Sequence, residues 1–336
     1  MKIEHWLMCL AVLLAAAGCK DKEEDTSNYL SGSMKVYGMP TYVKKGDIYH
    51  IVATGVYRDN KADTLLGFSW YDPLKKVTDT LRKEGDPATL KPKFDFTISS
   101  DSLATFVLSV SAWADGYYAS SKGLSFTIVD PSLEGGSLTG HPFTPSTETF
   151  TDPRDGKEYQ VKKIGDATWM LRNLAWNGAG KPYASSQSME EIFGRFYTWE
   201  EAKEACPAGW RLPSDSDFAA LATAAGASSA KVFEDVPGVA GELMGDVSFN
   251  GNTMWTYWPE VKITNSTLFT AIPVGYLLYT GVSPDFDGLD NYAVFWTSDQ
   301  NGEDAVARYI NVSSGTLFAT ALDKQTIGAS VRCIKE

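Results

Sequence analysis

From Met34 to Asp130 the chain alternates apolar and polar residues almost without a break, and no helical period runs through it. In "KFDFTIS", Phe94, Phe96 and Ile98 alternate with Asp95, Thr97 and Ser99; in "TFVLSVSAW", Phe106, Leu108, Val110 and Ala112 share one face. "LLGFSWYD" repeats the pattern with Leu66, Phe68 and Trp70, and "LSFTIV" with Leu124, Phe126 and Ile128. Strict alternation gives each strand one apolar face, and that face stays wet unless a second sheet covers it. Turn-forming segments such as "RDNKAD" and "ADGYYASSKG" separate the runs. The spacing predicts an antiparallel β-sandwich over residues 34–130.

Trp70, on a middle strand, resembles the core tryptophan of immunoglobulin-like domains, which makes the sandwich immunoglobulin-like in architecture. No cysteine pair accompanies it and the region holds no catalytic constellation, so a spacer or interaction module is the default reading. Ahead of it, "WLMCLAVLLAAAG" is too short to span a membrane as a mature helix, and it ends in "AAGC" followed by "KDKEED". This resembles a lipoprotein signal over residues 1–18, with Ala17 and Gly18 beside the cleavage point and Cys19 as the lipidated residue. Two or three acyl chains anchor firmly, at about 0.8 kcal/mol per buried CH₂. The acidic run after Cys19 resembles the export tag of Bacteroidota lipoproteins that face the cell exterior from the outer membrane. The rest of residues 19–33 is a polar tether.

"DPSLEGGSLTGHPFTPSTET" is rich in Gly, Ser, Thr and Pro, and residues 131–147 read as a linker. At Phe150 the texture changes. Asp155-Gly156 and Gly165-Asp166 mark two tight turns that flank "EYQVKKI". Thr198 with Glu201, and Ser214 with Asp217, are capping boxes that open two helices; Pro207 stops the first and Gly226 the second. Only strand-like and loop-like segments follow, so this part is α+β: a helix pair enclosed by an early hairpin and late strands.

The chain of 336 residues has a net charge of −12, which makes it a poor neutraliser of phosphates and excludes nucleic acid as a natural partner. Its histidines are His5, His50 and His141, so none follows Phe150. That removes Cys-His and Ser-His-Asp catalysis and His-ligated zinc from the C-terminal part. Cys206 and Cys333 are the cysteines left after the N-terminal segment. A disulfide between them fits an oxidising compartment; two buried thiols or a reactive thiol are the alternatives.

"RDGKEYQVKKIGDATWMLRNLAW", "GRFYTWEEAKEACPAGWRLPSDSDFAAL", "FTAIPVGY", "AVFWTS" and "GASVRCIKE" stand in the order found in the Fibrobacter succinogenes major paralogous domain family. The resemblance covers residues 148–336 and implies a C-type-lectin-like fold on a surface lipoprotein. It also implies a bridge from the cysteine ending the helix in "TWEEAKEAC" to that of "SVRC". Leu277 departs from the family pattern, in which an arginine often follows the tyrosine of "PVGY".

A lectin-like fold raises the prospect of a calcium-sugar site, but the "EPN", "QPD" and "WND" motifs of calcium-dependent lectins are missing; "FWTSD" at 295–299 comes nearest. Asp285, Asp287, Asp290 and Asn291 are weak candidates for calcium, the one cofactor the sequence suggests, and a solvated acidic loop is the preferred reading. Trp255, Tyr257, Trp258, Tyr276 and Tyr279 are the candidate ligand-binding residues, because exposed rings stack on sugars and anchor protein interfaces. Core packing is the competing reading for the first three, and the expected one for Trp169, Trp199, Trp210 and Trp296. Specificity is expected in the loops between residues 226 and 295.

These features point to a membrane-anchored binding protein, not an enzyme, whose partners are an extracellular glycan or surface protein. A structural part in a pilus tip or polysaccharide-capture complex is the alternative. The resemblance to the formylglycine-generating-enzyme fold makes an enzyme the remote one, since the only cysteine pair sits where the family places its structural bridge.

Overall fold

The computed structural model describes residues 29–60, 65–87, 92–130, 148–255, 261–279, 281 and 283–336. The signal segment with Cys19, most of the tether and the 131–147 linker lie outside the described residues. The fold is β-rich, and among the described residues no helix is long and apolar enough to cross a membrane.

Among the described residues, eight strands build the first part: β1 (Ser31–Tyr37), β2 (Tyr42–Val43), β3 (Ile48–Tyr57), β4 (Gly67–Asp72), β5 (Val77–Arg82), β6 (Lys93–Thr97), β7 (Thr105–Trp113) and β8 (Ser120–Ile128). They form two sheets, β1-β3-β6 and β2-β8-β7-β4-β5. The alternation read from sequence sets the faces, since Phe96, Ile98, Leu108, Val110 and Phe126 are fully buried between the sheets. Trp70 stacks on Phe94 at 4.3 Å and meets Phe96 edge-on at 5.6 Å. Two features differ from expectation. Strand β2 runs parallel to β8, with Tyr42 opposite Thr127. Strand β1 begins inside the stretch read as tether, because Leu30 already packs into the core.

After residue 148 come β9 (Thr149–Thr151), β10 (Glu158–Ile164), β11 (Ala167–Met170), β12 (Lys181–Pro182), α1 (Gln187–Phe193), β13 (Arg195–Phe196), α2 (Trp199–Ala205), β14 (Trp210–Arg211), α3 (Asp215–Ala224) and α4 (Ala240–Leu243). Then follow β15 (Ser248–Phe249), β16 (Asn252–Thr253), β17 (Tyr276–Tyr279), β18 (Pro284–Asp287), β19 (Tyr292–Asn301), β20 (Asp304–Asn311), β21 (Phe318–Leu322), β22 (Ile327–Gly328) and β23 (Ile334–Lys335). The sheet β14-β23-β11-β10-β9 carries the predicted turns, and Gly165 takes φ 61° to reverse the chain between paired Ile164 and Ala167. Sheets β19-β20-β21 and β18-β17-β22 complete the framework.

Both capping boxes form as read, at Thr198–Glu201 for α2 and at Ser214–Asp217 for α3. Among the described residues, however, four α-helices stand where a pair was expected. Helix α1 was not legible because its N-cap residue, Ser186, makes no cap bond; its hydroxyl donates to the Tyr42 carbonyl of the sandwich instead. Ser188 donates to Asp47, Lys44 pairs with Glu191 at 2.9 Å, and the Asn250 amide donates to the Ile128 carbonyl at 2.9 Å. Val129 is buried in the same apolar cluster as Met189, Ile192 and Phe193. Tertiary contact with the sandwich, rather than a local signal, holds α1.

The last segment of the chain runs through the middle of this framework. Ala329 exchanges two backbone hydrogen bonds with Tyr197, Ser330 bonds to Val294 and Trp296, and Val331 and Cys333 accept from Leu174 and Met170. Cys206, at the end of α2, is disulfide-bonded to Cys333, with Cα atoms 5.8 Å apart, so the bridge reading stands over the two thiol readings. Beside it Arg332 is fully buried. Its guanidinium donates to the Asn173 side-chain oxygen at 2.8 Å and to the carbonyls of Phe269 and Thr270, and it lies 4.7 Å from the centre of the Phe269 ring. A second fully buried guanidinium, Arg308, is forked onto the Asp215 carboxylate at the start of α3.

This segment can be tested at both residues. In a form of the chain starting at Lys20, alkylation without reductant is expected to leave the intact mass unchanged, and reduction to add two adducts. By the loop-entropy estimate, losing the bridge costs roughly 4–5 kcal/mol. Arg332→Met orphans several buried acceptors and is expected to lower stability by about 3 kcal/mol or more in urea unfolding; an unchanged midpoint would contradict the role given to Arg332.

Candidate ligand-binding cleft

The five aromatic candidates have different fates. Trp255 is buried, and its indole N–H donates to the Ala271 carbonyl at 3.1 Å. It packs with Val239, Leu243 and Phe269, which corrects the ligand-binding reading: it is a core tryptophan whose one polar atom is satisfied by backbone. Tyr257 and Trp258 lie outside the described residues. Trp169, Trp199, Trp210 and Trp296 are core residues, as expected.

Tyr276 and Tyr279 are both half-buried on β17, but three positions apart on a strand means opposite faces. Tyr279 packs with fully buried Leu277 against the cluster around Met189 and Phe196. Leu277, the departure from the family pattern, is thus an apolar core residue. Tyr276 and Leu278 face the other way and line a cleft of about 390 Å³ together with Tyr292, Val294, Tyr309, Leu322 and Ile327.

Period-2 geometry explains how these residues meet. On β19, Tyr292, Val294 and Trp296 share a face; Val294 pairs with Tyr309 on β20, and Tyr309 with Phe318 on β21. One end of that face is covered, so Trp296 is buried and donates to the Tyr197 carbonyl at 2.7 Å. The other end is open, and Tyr292 and Tyr309 remain half-exposed. Gly275 brings β17 alongside: it takes φ 77°, and a Cβ there would lie 2.0 Å from the Asp287 carbonyl oxygen.

The rings form a connected row. Tyr276 and Tyr292 are 6.1 Å apart at 73°, Tyr292 and Tyr309 6.2 Å apart at 55°, and Tyr309 stacks on Phe318 at 4.8 Å. The Tyr276 hydroxyl donates to the Asp287 carboxylate at 3.1 Å. Burial, then that hydrogen bond, raises the Tyr276 pKa; burial, then the Asp235 charge, raises that of Tyr309. Both phenols therefore stay protonated at neutral pH.

Of the calcium candidates, Asp287 is engaged by Tyr276 and by the Gly288 amide at 2.7 Å, while the Asn291 side chain donates to the Leu289 carbonyl. Among the described residues no three His, Cys, Asp or Glu side chains converge on a metal position. The cleft was only partly legible in the sequence. Tyr276 was a candidate, but Tyr292 and Tyr309 were not, and Tyr309, Leu322 and Ile327 lie beyond the 226–295 stretch expected to hold specificity. The alternation of "YAVFW" and "ARYI" was the available signal, but it does not tell which end of the shared face stays uncovered.

A second depression, about 630 Å³, lies against Phe150, Val161 and Trp210. Phe150 and Trp210 contact each other at 4.9 Å. This depression lacks the inclined row of tyrosines.

No curated protein matches the chain. Among solved structures it is similar to a superoxide reductase (neelaredoxin) from Ignicoccus hospitalis at 13% identity and a TM-score of 0.22, over 32% of this chain and 88% of that one. A variant form of that same reductase gives 15% identity and a TM-score of 0.23, over 31% and 86%. Likeness at this level carries no argument. The Fibrobacter succinogenes major domain model, by contrast, matches residues 162–335, a span holding α2, the disulfide, the Arg332 segment and every residue named in the cleft. The chain belongs to the Fibrobacter succinogenes major domain family.

Proposed function

We propose that this protein is a surface-anchored binding lipoprotein. In this reading Cys19 carries the lipid in the outer membrane and the sandwich is an immunoglobulin-like stalk. The part after residue 148 is a C-type-lectin-like head that recognises a group displayed on an extracellular glycan or surface protein. The observation that carries the proposal is the cleft of Tyr276, Tyr292 and Tyr309: half-exposed rings grouped over an apolar floor, with protonated hydroxyls at hand. Rings in this state offer large contact area at low entropy cost and bind without covalent chemistry. The absence of histidine after Phe150 favours binding over catalysis, and the helix-to-last-strand disulfide agrees with a lectin-like head.

The test uses the chain from Lys20 onward on arrays of glycans and of extracellular surface proteins. Tyr292→Ala and Tyr309→Ala are each expected to weaken capture about tenfold or more while leaving the melting temperature within a few degrees. Undiminished capture by both variants would remove the cleft from the proposal. For the anchor, Cys19→Ser is expected to move the full-length protein from the detergent phase to the aqueous phase. Persistent partitioning into detergent would contradict lipidation.

A further inference from the structure

The cleft has a feature that mere aromatic character does not explain: its rings are inclined to one another and its surroundings are negative. Tyr276 and Tyr292 stand at 73°, and Tyr292 and Tyr309 at 55°, with centroids 6.1 and 6.2 Å apart. A sugar face stacks on one flat exposed ring. A compact cation gains more from several inclined rings, because it can approach more than one π-face at once. A cation about 4.5 Å from two faces set at right angles has ring centroids about 6 Å apart around it, within cation–π range.

Charge points the same way. Among the described residues no basic side chain lines the cleft. The Asp287 carboxylate holds the Tyr276 hydroxyl, and Asp235 lies near enough to Tyr309 to raise its pKa. Asp323 sits directly after the Leu322 wall, bound to the Gln325 and Thr326 amides. Two cations adjacent in sequence are committed elsewhere. Lys324 donates to Gln300 at 3.0 Å and lies over Trp199, and Arg308 is forked onto Asp215 on the opposite face of β20. The chain as a whole carries −12. An anionic ligand would meet hydroxyl donors in such a lining but no opposite charge. The aliphatic floor of Leu278, Val294, Leu322 and Ile327 favours methyl groups over a hydrated ammonium.

We infer that the tyrosine cleft recognises a quaternary alkylammonium group of the choline type, held by cation–π contact with Tyr276, Tyr292 and Tyr309 and by the negative charge of Asp287. This rests on the binding reading above and narrows it to one chemical group.

The experiment is a titration of the chain from Lys20 onward, followed by NMR or calorimetry, with three probes: choline, its neutral isostere 3,3-dimethylbutan-1-ol, and methyl glucopyranoside. Choline is expected to bind about tenfold or more tightly than the isostere, since the two differ in charge and not in shape. Tyr309→Phe is expected to keep most of the choline affinity. Tyr309→Leu, which retains apolar bulk without a π-face, is expected to lose about tenfold. Circular dichroism of the Leu variant checks that the fold is retained, and Tyr292→Leu serves as the second variant if it is not. Failure of choline to bind, or equal binding of the isostere, overturns the inference. Tighter binding of the glucoside, lost in Tyr309→Leu, also overturns it but leaves the binding reading standing. If no probe binds and array capture is indifferent to Tyr309, both fall.

Discussion

The rest of the C-terminal fold depends on the burial of one guanidinium. Arg332 lies wholly inside the protein, and its acceptors are neutral: the Asn173 amide oxygen and the carbonyls of Met170, Phe269 and Thr270. Burial, with a smaller push from the like charge of Arg172, pulls its pKa down to about 9. A cation so placed is tolerated only when its donors are met and aromatic faces lie near, as those of Phe269 and Phe295 do. Those donors are met by the backbone of residues 268–271, where Leu268 and Thr270 take positive φ. Ala271 in turn accepts the indole of Trp255, and the chain then passes through Gly275 into the strand that carries Tyr276. The disulfide at the next residue, Cys333, ties this segment to the end of α2.

Core and cleft are two ends of one surface. The face of β19 that buries Trp296 at one end exposes Tyr292 at the other. Where α2 and the Tyr197 segment cover the sheet, alternation produces a core; where cover stops, the same alternation leaves an open aromatic cleft. Grouping side chains on rigid strands rather than on loops limits the entropy lost when a ligand is bound.

Legibility followed the range of the interaction. The sandwich faces, both capping boxes and the Gly165 turn were readable because each signal lies within a few residues: a period of two, a capping pair at i and i+3, a glycine beside an aspartate; the four core tryptophans were readable through the family blocks that hold them. Helix α1 was not, since its stabilising partners Tyr42, Lys44 and Asp47 lie more than a hundred positions away. For Trp255 the sequence leaves core packing and ligand binding both open, because its flanking glycine and asparagine suggest an exposed loop while the Ala271 carbonyl that makes burial acceptable is sixteen positions on.

By itself, the sequence determined the alternating sandwich, the family, the helix starts, the absence of histidine chemistry after Phe150 and the pool of aromatic residues from which a site could be drawn. Only the tertiary structure decided which aromatics are core and which line the open cleft. That choice depends on which end of a sheet face is left uncovered, and cover comes from segments distant in the chain. It likewise set the inclination of the tyrosine rings and the side on which Arg308 and Lys324 lie. Local pattern specifies which face a side chain takes; what stands opposite that face is a property of the assembled chain.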